Sequence, residues 1–248
     1  MGRLAKPWRR GGRVSARGVC RRMKAASQLL VAVCLMGVFC KAGHAQTGQN
    51  QWWPEVDTFV RLNPKVRLSF FAQRSTDGKN YNGAEIGPNL DIALKPLRKR
   101  ISTNDVDKNK LVVFRIGYRY LGSTDGPSEN RGILQLTQRF PLPRSFLVSD
   151  RNRSDLRWIG GRFSWRYRNL LTVERTVKIK SFSFNPYVEG EVYFDSRYEK
   201  WSKNSYSFGM GIPLGKRFEA KPYFERDNQS HSSLQHVNGV GFILYLYF

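Results

Sequence analysis

The chain has 248 residues, and its 42 Lys and Arg against 19 Asp and Glu give a formal net charge of +23. That charge would favour a nucleic-acid partner if it were clustered, but ten basic residues and no acidic ones lie within residues 1–45. In the remainder, Arg and Lys alternate with aromatic residues and share strand faces with Glu, so nucleic-acid binding is excluded.

Residues 1–45 are typical of a secretory signal peptide. A short apolar run, residues 25–40, lies between basic residues and a small-residue cleavage site that ends at Ala45. This run is shorter than the roughly 20 residues that a membrane-spanning helix needs. Because "MKAASQLL" at Met23 would form a complete signal by itself, we expect translation to start there; a long authentic leader is the alternative.

The cysteine positions constrain the mature chain, residues 46–248. Cys20, Cys34 and Cys40 all lie in the signal segment, so the mature chain has no disulfide, thiolate metal site or catalytic cysteine. Asp105, Asp107 and Asn109 alternate as calcium ligands do, but Lys110 stands where a calcium loop needs Gly, and the bidentate Glu is absent. We interpret residues 98–110 as a solvated polar link, and we expect no metal and no cofactor.

Alternation of apolar and polar residues dominates the mature chain. No apolar run there approaches 18 residues, so membrane-spanning helices are excluded. Strands with one apolar and one charged face are predicted within residues 56–74, 111–121, 162–174 and 186–195. Tight turns are expected at 63–65, 141–144 and 213–216, and longer loops at 76–83, 122–130, 195–204 and 227–233.

Two all-β folds fit this alternation: a soluble sandwich with buried apolar faces, and a membrane barrel whose apolar faces meet lipid. The export signal and the end of the chain favour the barrel. Every second residue back from Phe248 is apolar, namely Leu246, Leu244, Phe242 and Val240. This pattern resembles the C-terminal signal by which outer-membrane barrels are recognised for assembly.

The mature chain also resembles a family of uncharacterised bacterial outer-membrane barrels, a domain of unknown function. The carriers are "WPEVDTFVRLNPKVRLSFFAQR", "RFSWRYR", "NPYVEGEVYF" and the aromatic end. About eleven alternating runs are visible, but single-chain bacterial barrels have even strand counts. We therefore expect an antiparallel up-and-down transmembrane barrel of about twelve strands over residues 46–248, with ten as the alternative and the uncertain count near residues 149–158.

If the apolar faces point outward, the charged faces enclose a lumen. The predicted lumen residues are Arg115, Arg119, Arg139, Arg166, Arg168, Glu174, Glu189, Glu191, Glu219, Lys221 and Glu225. They would form an ion-pair network that holds the barrel rigid, or line a narrow passive pore for small, anionic solutes. The expected partners are outer-membrane lipids and lipopolysaccharide, the barrel-assembly machinery, and small solutes.

A lipid-modifying outer-membrane enzyme is the second class of function. Only His231 and His236 lie in the mature chain, and a general base needs hydrogen-bond reach to a nucleophile. His231 falls in a loop rich in Ser and Asn, and His236 has the parity of the outward residues of the last strand. No catalytic motif results, so we expect no enzyme; a secreted soluble β-sandwich binding module remains a further alternative.

Overall fold

The structure is a computed structural model that describes residues 48–77, 80–97, 103–124, 126–180, 182–231 and 235–248. The predicted signal peptide, with its start at Met23 and its cleavage site at Ala45, lies outside the described residues. The strands are β1 Gly48–Arg61, β2 Val66–Asp77, β3 Asn80–Pro96, β4 Lys110–Ser123, β5 Glu129–Leu142, β6 Phe146–Ile159, β7 Arg162–Arg175, β8 Val177–Ile179, β9 Phe182–Asp195, β10 Lys200–Leu214, β11 Phe218–Gln229 and β12 His236–Tyr247.

Eleven of these twelve strands close into a cylinder. Sequential neighbours pair antiparallel, β7 pairs with β9, and the short β8 pairs only with β9. The ring closes through β1 and β12, which run parallel from Gly48↔His236 to Phe59↔Tyr247. The predicted all-β barrel of about twelve strands is confirmed, but the expectation of an even, fully antiparallel ring does not hold, because an odd ring must close on one parallel pair.

The connections separate into two ends of the barrel. We call the end that carries the turns at 62–65, 143–145 and 215–217 the turn end, and the opposite end, with 124–128 and 196–199, the loop end. The turn after β1 forms because Asn63 Oδ1 accepts hydrogen bonds from the backbone N–H groups of Lys65 and Val66, at 2.8 and 2.9 Å. Because the number of strands in the ring is odd, the first strand begins at one end of the barrel and the last strand finishes at the other. Gly48 lies at the loop end and Phe248 at the turn end.

The two faces of the wall have reversed polarity compared with a soluble protein. Large apolar side chains point outward, with 49% of Phe70, 52% of Phe208 and 57% of Trp201 exposed. Carboxylates on the inward face are enclosed, and Asp91, Asp155 and Asp195 are 0% exposed. The period-two pattern of the sequence therefore places apolar side chains on the outward face of the barrel and charged side chains on the inward face.

The last strand explains the uncharged end of the chain. Val240, Phe242, Leu244 and Leu246 lie on the outward face of β12, and Phe248 follows it. The N–H of Phe248 donates to the carbonyl of Phe59 at 2.8 Å, and the N–H of Arg61 donates to the carbonyl of Phe248 at 3.0 Å. The final residue thus completes the hydrogen bonding of the closing pair.

The weakly patterned residues 149–158 lie in one regular strand, β6, which is polar on both faces. Among the described residues, no helix has the length and apolar content to cross a membrane.

Candidate functional site

The lumen contains a charged cavity of about 530 Å³. The structure places ten of the eleven predicted lumen residues on its wall: Arg115, Arg119, Arg139, Arg166, Arg168, Glu174, Glu189, Glu191, Lys221 and Glu225. Glu219, on β11, is 1% exposed and packed behind Gly211, where an added Cβ would lie 2.9 Å from its Oε1. It lies beside the cavity and does not line it.

One side of the lumen is rich in arginine. Asp155 on β6 accepts from Arg153 Nε at 2.6 Å, and Arg131 and Arg168 approach the same carboxylate to 3.9 Å. Asp195, at the loop end of β9, binds Arg157 at 3.0 Å and Arg166 at 3.1 Å. Each carboxylate therefore serves several guanidinium groups.

These contacts continue into one network, which we call the arginine network. Glu191 binds Arg168 at 2.8 Å and Arg151 at 2.9 Å. Eight arginines meet five carboxylates, an excess of three positive charges; the members are Arg119, Arg131, Arg151, Arg153, Arg157, Arg166, Arg168, Arg197, Glu85, Glu129, Asp155, Glu191 and Asp195. Nη2 of Arg153, a buried cavity-lining side chain, has no hydrogen-bond partner among the described residues.

The opposite side of the lumen carries carboxylates. Glu55 and Asp57 on β1 and Glu225 on β11 line the cavity and make no ion pair with any described residue. The nearby cations are already engaged, because Lys203 binds Asp227 at 2.6 Å and Lys221 binds Glu189 at 3.4 Å. Glu225 shares a hydrogen bond with the carboxyl group of Asp227. The interior charge is therefore separated across the barrel, with arginines on β5–β7 and carboxylates without an ion pair on β1 and β11.

Residues 103–109, which we call the cap segment, lie across the turn end. Asn104 Nδ2 donates to the carbonyls of Gly215 and Phe218 at 3.0 and 2.8 Å, on the β10–β11 side. Lys108 binds Glu174 on β7 at 3.0 Å, on another part of the ring. Since these partners belong to strands around the cylinder, the cap segment covers the mouth.

Of the predicted solvated link 98–110, residues 98–102 lie outside the described residues, and for the cap segment the interpretation was wrong. Asp107 is 2% exposed, and it binds Arg61 at 2.9 Å and Arg67 at 3.0 Å. Arg67 also binds Asp105 at 2.7 Å. Burial alone would raise the pKa of Asp105, but Arg67 and Arg139 outweigh it and lower the pKa to about 2. The aspartates that resembled calcium ligands are instead anchors to β1 and β2.

The two histidines lie apart from this site. His231 stacks on Tyr198 at a ring-centroid distance of 4.4 Å, and His236 Nδ1 lies 2.9 Å from Asn228 Oδ1. Neither contact provides a nucleophile with a base. Among the described residues, no group of three or more His, Cys, Asp or Glu could hold a metal ion.

Several lumen residues were not predicted from the sequence: Glu55, Asp57, Arg131, Arg151, Arg153, Asp155, Arg157 and Asp195. On β6 both faces are polar, so periodicity could not distinguish inside from outside there. The neighbouring strand β7 carried a usable signal, because Arg166 and Arg168 were predicted to point inward. Arg153 pairs with Arg168 and Asp155 pairs with Arg166, so these residues of β6 face the same way.

Comparisons with known proteins give a family and a distant structural neighbour. A family model described as "Protein of unknown function (DUF2490)" matches residues 50–238. No curated protein matches. A solved structure described as "NanC porin structure in rhombohedral crystal form" is 12% identical, with a TM-score of 0.38, and the match covers 74% of this chain and 93% of that chain.

Proposed function

We propose that this chain, which belongs to the DUF2490 family, is an outer-membrane β-barrel of a Gram-negative bacterium whose lumen is a narrow passive route for small anionic solutes. The observation that carries the membrane location is the reversed polarity of the wall. In water, a belt of exposed Phe, Trp, Leu and Val would aggregate, whereas in hydrocarbon it is the favoured surface.

Closure and strand length support the same location. A closed cylinder leaves no unpaired strand edge, which hydrocarbon would make very costly. The cylinder strands have 12 to 17 residues, enough for the roughly 9–11 that a tilted strand needs to span the bilayer. The signal peptide with cleavage after Ala45 would deliver the chain to that membrane, and the terminal strand ending at Phe248 would be read by the barrel-assembly machinery.

The anionic preference follows from the arginine network. Its three surplus positive charges lie beside a cavity, and enclosed unpaired charge is stabilised by a counter-ion. Nη2 of Arg153 offers a free donor to such an anion. A small anionic solute therefore meets complementary charge on the arginine side of the lumen, which Glu55, Asp57 and Glu225 face from the opposite side.

A membrane-structural role is the second candidate, and the cap segment favours it. With Asn104 bound to the β10–β11 side of the rim and Lys108 bound to β7, the cap segment narrows the turn end. A closed, rigid barrel would then carry no solute.

Reconstitution in planar bilayers separates the two roles. Heat-modifiable migration on a gel first shows that the protein is a folded barrel. Stepwise currents whose reversal potential in a salt gradient indicates anion preference support the route, and Arg153→Gln should weaken that preference. Arg226→Gln, an exposed outward change near the loop end, is the matched control. Folded protein without current steps supports the structural role.

Two further expectations stay proposals. Of the four basic residues expected to meet lipopolysaccharide phosphates, Lys79 lies outside the described residues, and Arg197 and Lys203 bind Asp195 and Asp227. Exposed Lys200 at the loop end would meet these phosphates. A lipid-modifying activity has no supporting geometry around His231; if lipid hydrolysis were found, His231→Ala would test it.

A further inference from the structure

A polar cluster lies on the outward face of the barrel, where apolar residues are the rule. Ser149, Arg151 and Arg153 on β6 line the cavity, so the alternate residues Asp150 and Asn152 point away from it. Asn169 and Tyr167 lie beside them on the outward face of β7. We call Asp150, Asn152, Tyr167 and Asn169 the outer polar cluster.

The cluster is a connected set of side chains. Asn169 Nδ2 donates to Asp150 Oδ1 at 2.7 Å and to Asn152 Oδ1 at 3.1 Å. Asn152 Nδ2 donates to Asp150 Oδ2 at 3.2 Å, and the Tyr167 hydroxyl donates to Asn152 Oδ1. These bonds leave further donor and acceptor capacity, because an amide has two donor hydrogens and a carboxylate about four lone-pair sites.

The cluster lies within the apolar belt. Val148 and Val173 flank it toward the turn end, and Leu156 and Trp165 flank it toward the loop end. Acyl chains cannot satisfy its remaining polar capacity, and polar groups at this depth are costly unless another protein group meets them. A water-soluble partner cannot reach this height of the wall, so the cover must itself be membrane-embedded.

The surfaces on either side of the cluster fit one another. On one side, β5 projects Leu134 and Phe140, which are 43% and 47% exposed, and between them Leu136 and Gln138, the latter in register with Asp150 of the cluster. On the other side, the missing side chain of Gly190 on β9 leaves an apolar groove of about 660 Å³, lined by Leu171, Val188, Tyr206 and Phe208 among others. A two-fold axis parallel to the barrel and passing beside β6 and β7 places β5 of each copy against the β9 groove of the other.

We propose that the β6–β7 face is the interface between two copies of this chain, with the outer polar clusters hydrogen-bonded to each other across a two-fold axis. The inference rests on the proposed membrane location. Amide side chains suit this symmetry because each is both donor and acceptor, so identical clusters complement one another. The ridge and the groove on opposite sides of the cluster provide the apolar part of a self-complementary contact.

A single cysteine on the axis tests this arrangement. In a background with Cys20→Ser, Cys34→Ser and Cys40→Ser, Asn152→Cys should meet its own counterpart across the two-fold axis. Copper–phenanthroline oxidation in membranes, followed by an unheated non-reducing gel, should convert most of the folded protein to a cross-linked dimer. Val56→Cys, also outward but on β1 at the far side of the barrel, is the matched control and should remain monomeric.

Three outcomes would overturn the proposal: no dimer from Asn152→Cys in folded protein, equal dimer from both variants, or cross-linking of Asn152→Cys to a different protein. Since a substitution in the cluster can impair assembly, Ser154→Cys, one outward position along β6, provides a second readout. Heat-modifiable migration on a gel distinguishes failure of the dimer proposal from failure of the proposed membrane location. A folded membrane barrel without cross-links contradicts the dimer alone, whereas a protein that fractionates with buffer contradicts the membrane location.

Discussion

At the scale of single residues, the barrel depends on a few carboxylates that each hold several arginines. Asp195 binds Arg157, Arg166 and Arg197 at 3.0, 3.1 and 2.8 Å. Asp195→Asn should lower the free energy of unfolding by about 3 kcal/mol, because it leaves guanidinium groups enclosed without a counter-charge. The measurement is the denaturant midpoint at which heat-modifiable migration is lost. Glu199→Gln, in the same loop but exposed, is the control and should leave the midpoint unchanged.

The lowered pKa of Asp105 predicts a pH dependence of the cap segment. The pKa falls from 3.8 to about 2 in the folded protein, so the ionised carboxylate stabilises the fold above pH 3.8 and this contribution disappears as the pH falls through 2. Unfolding of the native protein should therefore require about 2 kcal/mol more than unfolding of Asp105→Asn at pH 6, and the gap should close toward pH 2. A gap that stays constant between these pH values would contradict the role of Arg67 as its partner.

At the scale of elements, the cap segment makes a prediction about conduction. Asn104 ties it to the β10–β11 side of the rim and Lys108 ties it to β7, so the pair Asn104→Ala with Lys108→Met should loosen it. We expect larger or more frequent current steps in planar bilayers than the native protein gives. Lys216→Ala, exposed in the β10–β11 turn, is the control. Unchanged current in the double variant would show that the cap segment does not limit the route.

The last strand, β12, needs glycine at two positions on its inward face. A Cβ added to Gly241 would lie 2.0 Å from Cζ of Tyr223, and one added to Gly239 would lie 2.2 Å from the ring of Trp53. Gly241→Ala should therefore destabilise the barrel by about 1–3 kcal/mol through overpacking. The temperature at which the heat-modifiable band disappears measures this, and the neighbouring outward change Val240→Ala should shift it much less.

How far the sequence predicts each element depends on how different its two faces are. On β4 and β7, Arg alternates with aromatic residues, and the inward positions Arg115, Arg119, Arg166 and Arg168 follow directly. On β6 the alternation fails because Asp150 and Asn152 make the outward face polar too. The contacts of the cap segment could not be predicted, because Asp105 and Arg67 are 38 positions apart and no periodic pattern relates them.

At the scale of the whole molecule, the sequence predicts the class of fold but not how the ring closes. Alternation fixes which face of a strand points out and leaves open whether the first and last strands meet parallel or antiparallel. The number of alternating runs in the sequence, about eleven, equals the number of strands in the ring. The rule that bacterial barrels have even strand numbers gave the different expectation of twelve. The small β8 supplies the twelfth strand without joining the ring.

The proposed membrane location predicts how a substitution on the outward face affects folding, and a soluble protein would behave differently. Phe70 lies on the outward face of β2 and is 49% exposed. In water, an exposed Phe→Arg change alters stability by roughly 0.5 kcal/mol or less, and it improves solubility. On the lipid face near the bilayer midplane, the same change costs about 2–4 kcal/mol. Phe70→Arg should therefore reduce the fraction that folds into lipid vesicles, measured by the heat-modifiable band, while Ser128→Arg in the exposed β4–β5 connection should not. Equal folding of both variants would mean that the apolar belt does not contact acyl chains.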